Sequence, residues 1–276
     1  ARASGQLAPA QAFLAMHWGE EFLGGRGASG AVMTGVNSLT TPVFCPTSRQ
    51  PELKHAAVKI LKAEMPWRVI AMAWLPDDEA LRTREALREL MGAFAFASAV
   101  PFGRERSGVL FRAAAYEPAP QPLLERVEAL MGLQGPGVLR YADRRRGQQR
   151  AMKLAGGQEA PLEAFLLAGD TRSEAWIKTL LQEELPAQSY GRQLLQPGST
   201  APSALAGATL AHGPQVCTCF NVSQSAITLH LQQCPGTAGE RLASLQTTLK
   251  CGTNCGSCVP ELKRMVQAVP ALKQAA

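Results

Sequence analysis

The sequence predicts an α+β, multidomain chain that ends in a small all-α domain built around cysteines. Three observations carry this reading. The first sixty residues are rich in loops and hold too little for a core of their own. Residues 63–196 alternate strand-like and helix-like runs. Six of the seven cysteines fall between positions 217 and 258.

The totals set the outer limits. A chain of 276 residues is long enough for two or more small domains, and 46% apolar with 18% charged residues is enough to bury a core. The net charge of +6 is modest. Its basic residues are dispersed, apart from Arg144, Arg145 and Arg146 with Arg140 and Arg150 close by. Few aromatics are interleaved with them, which argues against a nucleic acid partner. These arginines read as a solvated hairpin or as a docking face for an acidic electron-transfer partner. No run has the length of a membrane span and no secretory signal is present, so no membrane association and a cytoplasmic location are expected. Clustered cysteines in an otherwise cysteine-poor chain fit ligands in a reducing compartment better than a disulfide framework. The chain starts Ala1-Arg-Ala-Ser, which reads as part of something longer.

Residues 1–62 open with a strand at 12–17, a glycine-rich loop at 24–30 and a second strand that ends at Ile60. This segment is expected to complete a sheet begun upstream. Residues 63–135 follow as β-α-β-β-α, the order of a ferredoxin-like sandwich. The strands are 67–75, 94–100 and 109–115. One helix is capped by Asp77 or Asp78, and the other spans 122–131. No catalytic constellation stands out, and the module reads as a spacer. Residues 136–196 hold strands 137–143 and 149–154 around an Arg144–Gly147 turn, a third strand at 162–170, and a helix capped by Ser173 that runs to about Leu185. Asp143 and Asp170 sit at strand ends, where turn or capping roles are expected. Residues 197–213 read as a flexible linker.

Residues 214–270 carry the chemistry. Ser223 caps a helix over 224–233, a second helix covers 240–249, and a third starts at Val259 with Pro260 in its first turn. Cys217 and Cys219 form C-x-C, and Cys255 and Cys258 form C-x2-C. Paired thiolates this close can face one ion or cluster, because the short loop between them has little freedom left to lose. Four thiolates suit tetrahedral zinc or an iron–sulfur cluster. Gly252 and Gly256 bracket the second pair and let backbone N–H groups approach sulfur. The helix that follows aims its positive end at the cysteines. These details favour iron–sulfur over a structural zinc knuckle. Cys234 and Cys251 fall outside the ligand pattern and read as buried or spare thiols, Cys251 being also an alternative ligand.

The wording Val216-Cys-Thr-Cys-Phe-Asn-Val-Ser223 and Leu249-Lys-Cys-Gly-Thr-Asn-Cys-Gly-Ser-Cys-Val-Pro-Glu-Leu262 resembles the [2Fe-2S] domain of bacterioferritin-associated ferredoxins over about fifty residues. The resemblance implies that Cys217, Cys219, Cys255 and Cys258 ligate a [2Fe-2S] cluster. Phe13-Leu-Ala-Met-His-Trp18, Asn37-Ser-Leu-Thr40 and Pro46-Thr-Ser-Arg-Gln-Pro-Glu-Leu-Lys-His-Ala-Ala-Val58 resemble the end of the molybdopterin-dinucleotide-binding, β-barrel-like domain of molybdenum enzymes. It implies contacts from Asn37 and Lys54 to a guanine dinucleotide cofactor, with His17 and Trp18 on the pterin side. Cys45 stands where many relatives have Asp and is read as non-catalytic. Residues 136–196 are similar to the small C-terminal module of NADH-dependent nitrite reductase flavoproteins. They lack a glycine-rich nucleotide loop, so no flavin or nicotinamide is inferred there.

Taken together, the order of parts resembles the C-terminal portion of assimilatory nitrate reductases, in the molybdopterin oxidoreductase family. That implies nitrate as the substrate of the full-length enzyme, and a molybdenum bis(molybdopterin guanine dinucleotide) cofactor shared with upstream sequence. A [4Fe-4S] cluster is expected upstream. The implied electron donor is a ferredoxin, a flavodoxin or an NADH-dependent subunit. Without the molybdenum ligand, the 276 residues are expected to be inactive alone. Two other readings stand beside this one: another molybdopterin oxidoreductase such as a formate dehydrogenase, and a non-enzymatic ferredoxin-like electron carrier.

Overall fold

A computed structural model describes residues 7–14, 19–27, 29–51, 55–103, 106–157, 160–203, 215–217, 220, 222–253, 256 and 258–270. It divides into two compact units, Ala1–Ser199 and Thr200–Ala276.

The first unit is built on one seven-stranded sheet. Its strands are β1 (Leu23–Gly24), β2 (Trp67–Trp74), β3 (Phe96–Phe102), β4 (Gly108–Ala115), β5 (Val138–Asp143), β6 (Gln148–Leu154) and β7 (Leu162–Ala168). They lie in the order β1-β3-β4-β2-β7-β6-β5, and each neighbouring pair is antiparallel. Helices α1 (Asp77–Leu90) and α2 (Gln121–Leu130) cover one face, and α3 (Glu174–Gln182) lies on the other with the short α4 (Gly191–Leu195) near β5 and β6.

Strand alternation sorts the side chains. Trp67, Val69, Ala71 and Ala73 point to the α1–α2 side, where they join Leu87, Phe111, Leu124 and Val127 in one core. Ile70 and Met72 point the other way and are also buried. Arg112 lies opposite Ile70 in register and binds Glu174 at the start of α3, which places that helix on the second face. With both faces covered, β2 needs apolar residues at consecutive positions, which explains its unbroken run.

This sheet revises the domain expectation. Residues 63–135 and 136–196 do not form separate modules: β2 of the first hydrogen-bonds to β7 of the second from Val69↔Ala168 to Ala73↔Ala164. The N-terminal segment also joins a downstream sheet, since Leu23 and Gly24 pair with Ser98 and Ala97. Arg84, buried on α1, reinforces this by pairing with Glu21 and stacking on Phe22. The strand expected at 12–17 has no regular structure at 12–14, and 15–17 lie outside the described residues. The strand expected before Ile60 is irregular and exposed over 55–60. The expected linker lies outside the described residues over 204–213.

Cap positions differ in detail. Pro76, not an aspartate, occupies the α1 N-cap, and Asp77, Asp78 and Glu79 fill the first turn, where they complement the helix dipole. Ser173 stands at the α3 N-cap but makes no cap hydrogen bond. Its hydroxyl donates to the Ser199 carbonyl at 3.0 Å and receives Arg150. Asp143 accepts from the Arg145 and Arg146 amides in the β5–β6 turn, and Asp170 accepts from the Arg172 amide.

Asp170 also supports a pH prediction. Hydrogen bonds from the Arg172 side chain are the main cause holding its pKa below the ordinary 3.8. A carboxyl depressed on folding contributes stability above its unfolded pKa and loses it as pH falls through the folded value. Arg172 is 78% exposed, so the contribution is screened. The urea midpoint of the first unit is therefore expected to drop between pH 5 and pH 3, roughly bracketing that pKa. Asp170→Asn should flatten part of the drop; an unchanged pH slope in this variant would remove Asp170 from the account.

The second unit contains a two-stranded antiparallel ribbon, β8 (Gln215–Cys217) with β9 (Val222–Ser223), and helices α5 (Gln224–Gln233), α6 (Ala238–Thr248) and α7 (Val259–Ala268). The domain expected to be all-α thus carries a ribbon, in which Gln215 and Cys217 pair with Ser223 and Val222. Ser223 caps α5 by accepting from the Ala226 amide. α6 starts two residues before the expected position, at a Thr237–Glu240 capping box. Arg241, 4% exposed, donates to the carbonyls of Leu231, Val266 and Val269, joining the ends of α5 and α7. Arg241→Met is expected to leave these carbonyls unmet and to cost about 3 kcal/mol. Faster amide exchange across all three helices is the readout, and unchanged protection would count against the tie.

Candidate metal centre

Among the described residues, the second unit's core consists of Cys217, Val222, Ile227, Leu231, Leu245, Cys251, Cys258, Leu262, Met265 and Val266. Three of these ten are cysteines drawn from three separate positions in the chain. Cys217 ends β8 and is 2% exposed. Cys258 is the N-cap of α7 and is 6% exposed. Cys251 follows the end of α6, is fully buried, and its thiol donates to the Leu245 carbonyl at 3.6 Å.

The three sulfurs share one apolar core, which places Cys217 beside Cys258 and Cys251. Burial pushes the Cys258 thiol up to about 11, helped by a hydrogen bond with the Cys217 side chain and by the neighbouring Cys217 and Cys251 charges. Burial also raises Cys251, with Cys217 the next cause. The N-terminus of α7 works in the opposite direction, since its positive end favours a thiolate at Cys258. Burial and like charge outweigh it. Such thiols stay protonated at neutral pH until a cation replaces the proton, because a coordinating thiol is deprotonated by the metal.

Local sequence explains the assembly. Lys250 takes a left-handed conformation (φ 57°) after α6, and Gly252 does the same (φ 81°). A Cβ on Gly252 would lie 2.9 Å from Val259 and 3.2 Å from Leu262, so the loop passes too close to α7 for another residue there. The chain then reaches Cys258 at the head of α7, where Leu262 N–H bonds back to the Cys258 carbonyl.

Of the four predicted ligands, the structure brings Cys217 and Cys258 together. Cys219 and Cys255 lie outside the described residues. Among the described residues no group of three or more His, Cys, Asp or Glu side chains has the arrangement of a metal site. The donors that are described fit a soft, thiolate-ligated metal or cluster: they are sulfurs in an apolar shell under a helix N-terminus. Cys251, read from the sequence as a buried or spare thiol, is buried in this core; it stands four positions before the C-x2-C pair, on the loop that Gly252 presses against α7.

The two other described cysteines are not members of this core. Cys234 is part-exposed and its thiol donates to the Pro235 carbonyl. Cys45 is exposed, and hydrogen bonds from Ser48 pull its thiol below the ordinary value. Asn37 lies in the 3-10 turn Val36–Leu39, with its side chain outside the described residues. His17, Trp18 and Lys54 also lie outside them. No described helix is long and apolar enough to cross a membrane.

Fold and site define a two-unit α+β chain whose second unit gathers cysteine thiols beneath a helix. The chain is similar to a nitrate reductase of Klebsiella oxytoca, 25% identical over 270 residues, covering 94% of this chain and 26% of that relative. It is also similar to the nitrite reductase [NAD(P)H] large subunit of Klebsiella oxytoca, 29% identical over 104 residues, covering 37% of this chain and 10% of the relative. The chain therefore spans about a quarter of the length of the first relative and a tenth of the second. No family model matches the chain, and no solved structure matches it.

Proposed function

We propose that this chain is the C-terminal part of a molybdenum-dependent assimilatory nitrate reductase and that its second unit is the electron-entry domain. The observation that carries the reading is the convergence of buried Cys217 and Cys258 at the head of α7, in a chain similar to a nitrate reductase along 94% of its length. In this reading Cys217, Cys219, Cys255 and Cys258 hold a [2Fe-2S] cluster, which supplies one-electron chemistry when bound. The protein's own part is to keep four soft donors together, to exclude water with Leu245, Leu262 and Val266, and to aim the α7 N-terminus at negative charge. The physiological partner is then a donor of single electrons, a ferredoxin, a flavodoxin or an NADH-dependent subunit, in the cytoplasm.

The N-terminal segment is read as the edge of a molybdopterin-dinucleotide domain. Support comes from its surface. Phe13, Val32, Phe44, Ile60 and Leu61 are each 60% exposed or more. So much exposed apolar area in one segment fits a piece that packs against further protein. The roles of His17, Trp18, Asn37 and Lys54 toward the molybdenum bis(molybdopterin guanine dinucleotide) rest on the sequence resemblance.

The test is iron, acid-labile sulfide, zinc and molybdenum analysis with absorption and EPR spectra. Two irons and two sulfides per chain, with an EPR signal on one-electron reduction, are expected. One colourless zinc instead would end the electron-entry reading. Nitrate turnover by the 276 residues alone would refute the assignment as a part.

A further inference from the structure

We propose that a cleft in the first unit binds a small organic oxyanion, a carboxylate or a phosphate ester. The cleft has a volume of about 550 Å³, within the range of small-molecule sites. Its walls are the β5–β6 hairpin, the start of α2 with the turn before it, and Trp67. Nothing in the metal-centre reading uses it.

Four features give the cleft its chemical sign. Arg144 lines it, is exposed, and pairs with no acid among the described residues. Arg140 lines it as well. Its guanidinium is held by buried Glu128 and the Leu133 carbonyl, yet 45% of its side chain stays exposed. A guanidinium fixed in this way loses less side-chain freedom on meeting an anion. The acids nearby are already engaged: Asp143 accepts two turn amides, and Glu128 lies between Arg140 and Gln149. Finally, α2 opens without an acid in its first turn and without a side-chain cap, so its end adds positive potential of the same sign.

The cleft is bounded on one side where the hairpin closes on the turn before α2, at Gly147 and Pro118. The φ of Gly147 is 59°, and a Cβ there would lie 2.7 Å from Pro118.

The experiment is isothermal titration of the 276-residue chain at about 0.15 M salt, where long-range charge effects are screened. The probes are citrate and AMP, with inorganic phosphate as the minimal anion. Saturable one-to-one binding of citrate or AMP, tighter than that of phosphate, is expected. Citrate alone assigns a carboxylate ligand, and AMP alone a phosphate ester. Arg144→Gln should weaken binding about tenfold, the order expected for losing one charge-assisted hydrogen bond. Ala119→Trp, which fills the cleft and leaves its charge unchanged, should abolish it. Arg145→Gln, on the same turn but outside the lining, should leave affinity as it is. The proposal is overturned if neither organic probe binds saturably, or if the two arginine variants lose affinity equally, which would mean a diffuse basic surface.

Discussion

With the proposed cluster as its ligand, the second unit is expected to lose metal and unfold when Cys258 is replaced with serine, while the first unit stays intact. Helices of 10, 11 and 10 residues and a short ribbon bury only a ten-residue core, three of whose members are cysteines. A core of that size supplies a few kcal/mol at most, whereas structural thiolate ligation supplies on the order of 10 kcal/mol. Serine is a poor ligand for a soft metal and leaves a hydroxyl in an apolar shell. Limited proteolysis should then remove residues 200–276 and spare 1–199, and metal analysis should show the loss directly. Cys219→Ser should behave alike. Cys251→Ser should retain metal, at a modest cost from a buried polar atom. A metal-free Cys251→Ser beside a metal-loaded Cys219→Ser would exchange the two residues' roles.

In the first unit the largest single effect is expected at Arg150. This side chain is 1% exposed in the middle of β6. Its guanidinium donates to the Leu194 carbonyl at 3.0 Å, to the Asp170 carbonyl at 3.4 Å and to the Ser173 hydroxyl at 3.3 Å. One cation thus joins the sheet to α3, to α4 and to the turn after β7. Burial lowers its pKa from the ordinary arginine value, and Asp170 offsets part of that. Arginine keeps its proton there, since its starting value is so high. Arg150→Met fills most of the volume but leaves two carbonyls and a hydroxyl buried without a donor. The expected cost is about 3–5 kcal/mol, enough to unfold a marginal unit. Chemical denaturation followed by tryptophan fluorescence reads this, as Trp176 reports from beside Ser199. A loss below about 1 kcal/mol would show that water replaces the guanidinium at no great cost. Arg150→Lys should recover only part of the loss, because an ammonium cannot span the same fork of acceptors.

The elements with strong local signals were legible. The apolar run of β2 and the amphipathic faces of α1 and α2 were visible in the residues. So were the Arg144–Gly147 turn, the Ser223 cap and the α7 start at Val259 with Pro260 in its first turn, because each is decided within a few neighbouring residues. The α6 start was missed although Thr237 and Glu240 spell a capping box. The N-terminal strands were misread for a different reason. A strand needs a partner for its backbone groups; among the described N-terminal residues Leu23 and Gly24 join the sheet, and Arg26–Val32 and Phe44–Pro51 make only isolated bridges. The arginines at 140 and 150 were grouped with the hairpin as surface charge. Arg150 instead carries the centre of the unit, a role that depends on carbonyls twenty and forty-four residues away.

The cysteine spacing suggests a chemistry from the sequence alone, since donor type and loop length are properties of the chain. Which thiols stand together was not legible there. Cys217 and Cys258 are forty-one positions apart, and only the folding of three helices brings them into one shell with Cys251. The split into domains follows the same logic. Helix periods and caps come from nearest neighbours and can be read along the chain. Whether two α/β stretches form two sheets or one depends on whether the middle strand finds partners on both edges. Here the pairing of β2 with β4 and β7 decided for one sheet, because that arrangement alone satisfies the hydrogen bonds of a strand buried on both faces.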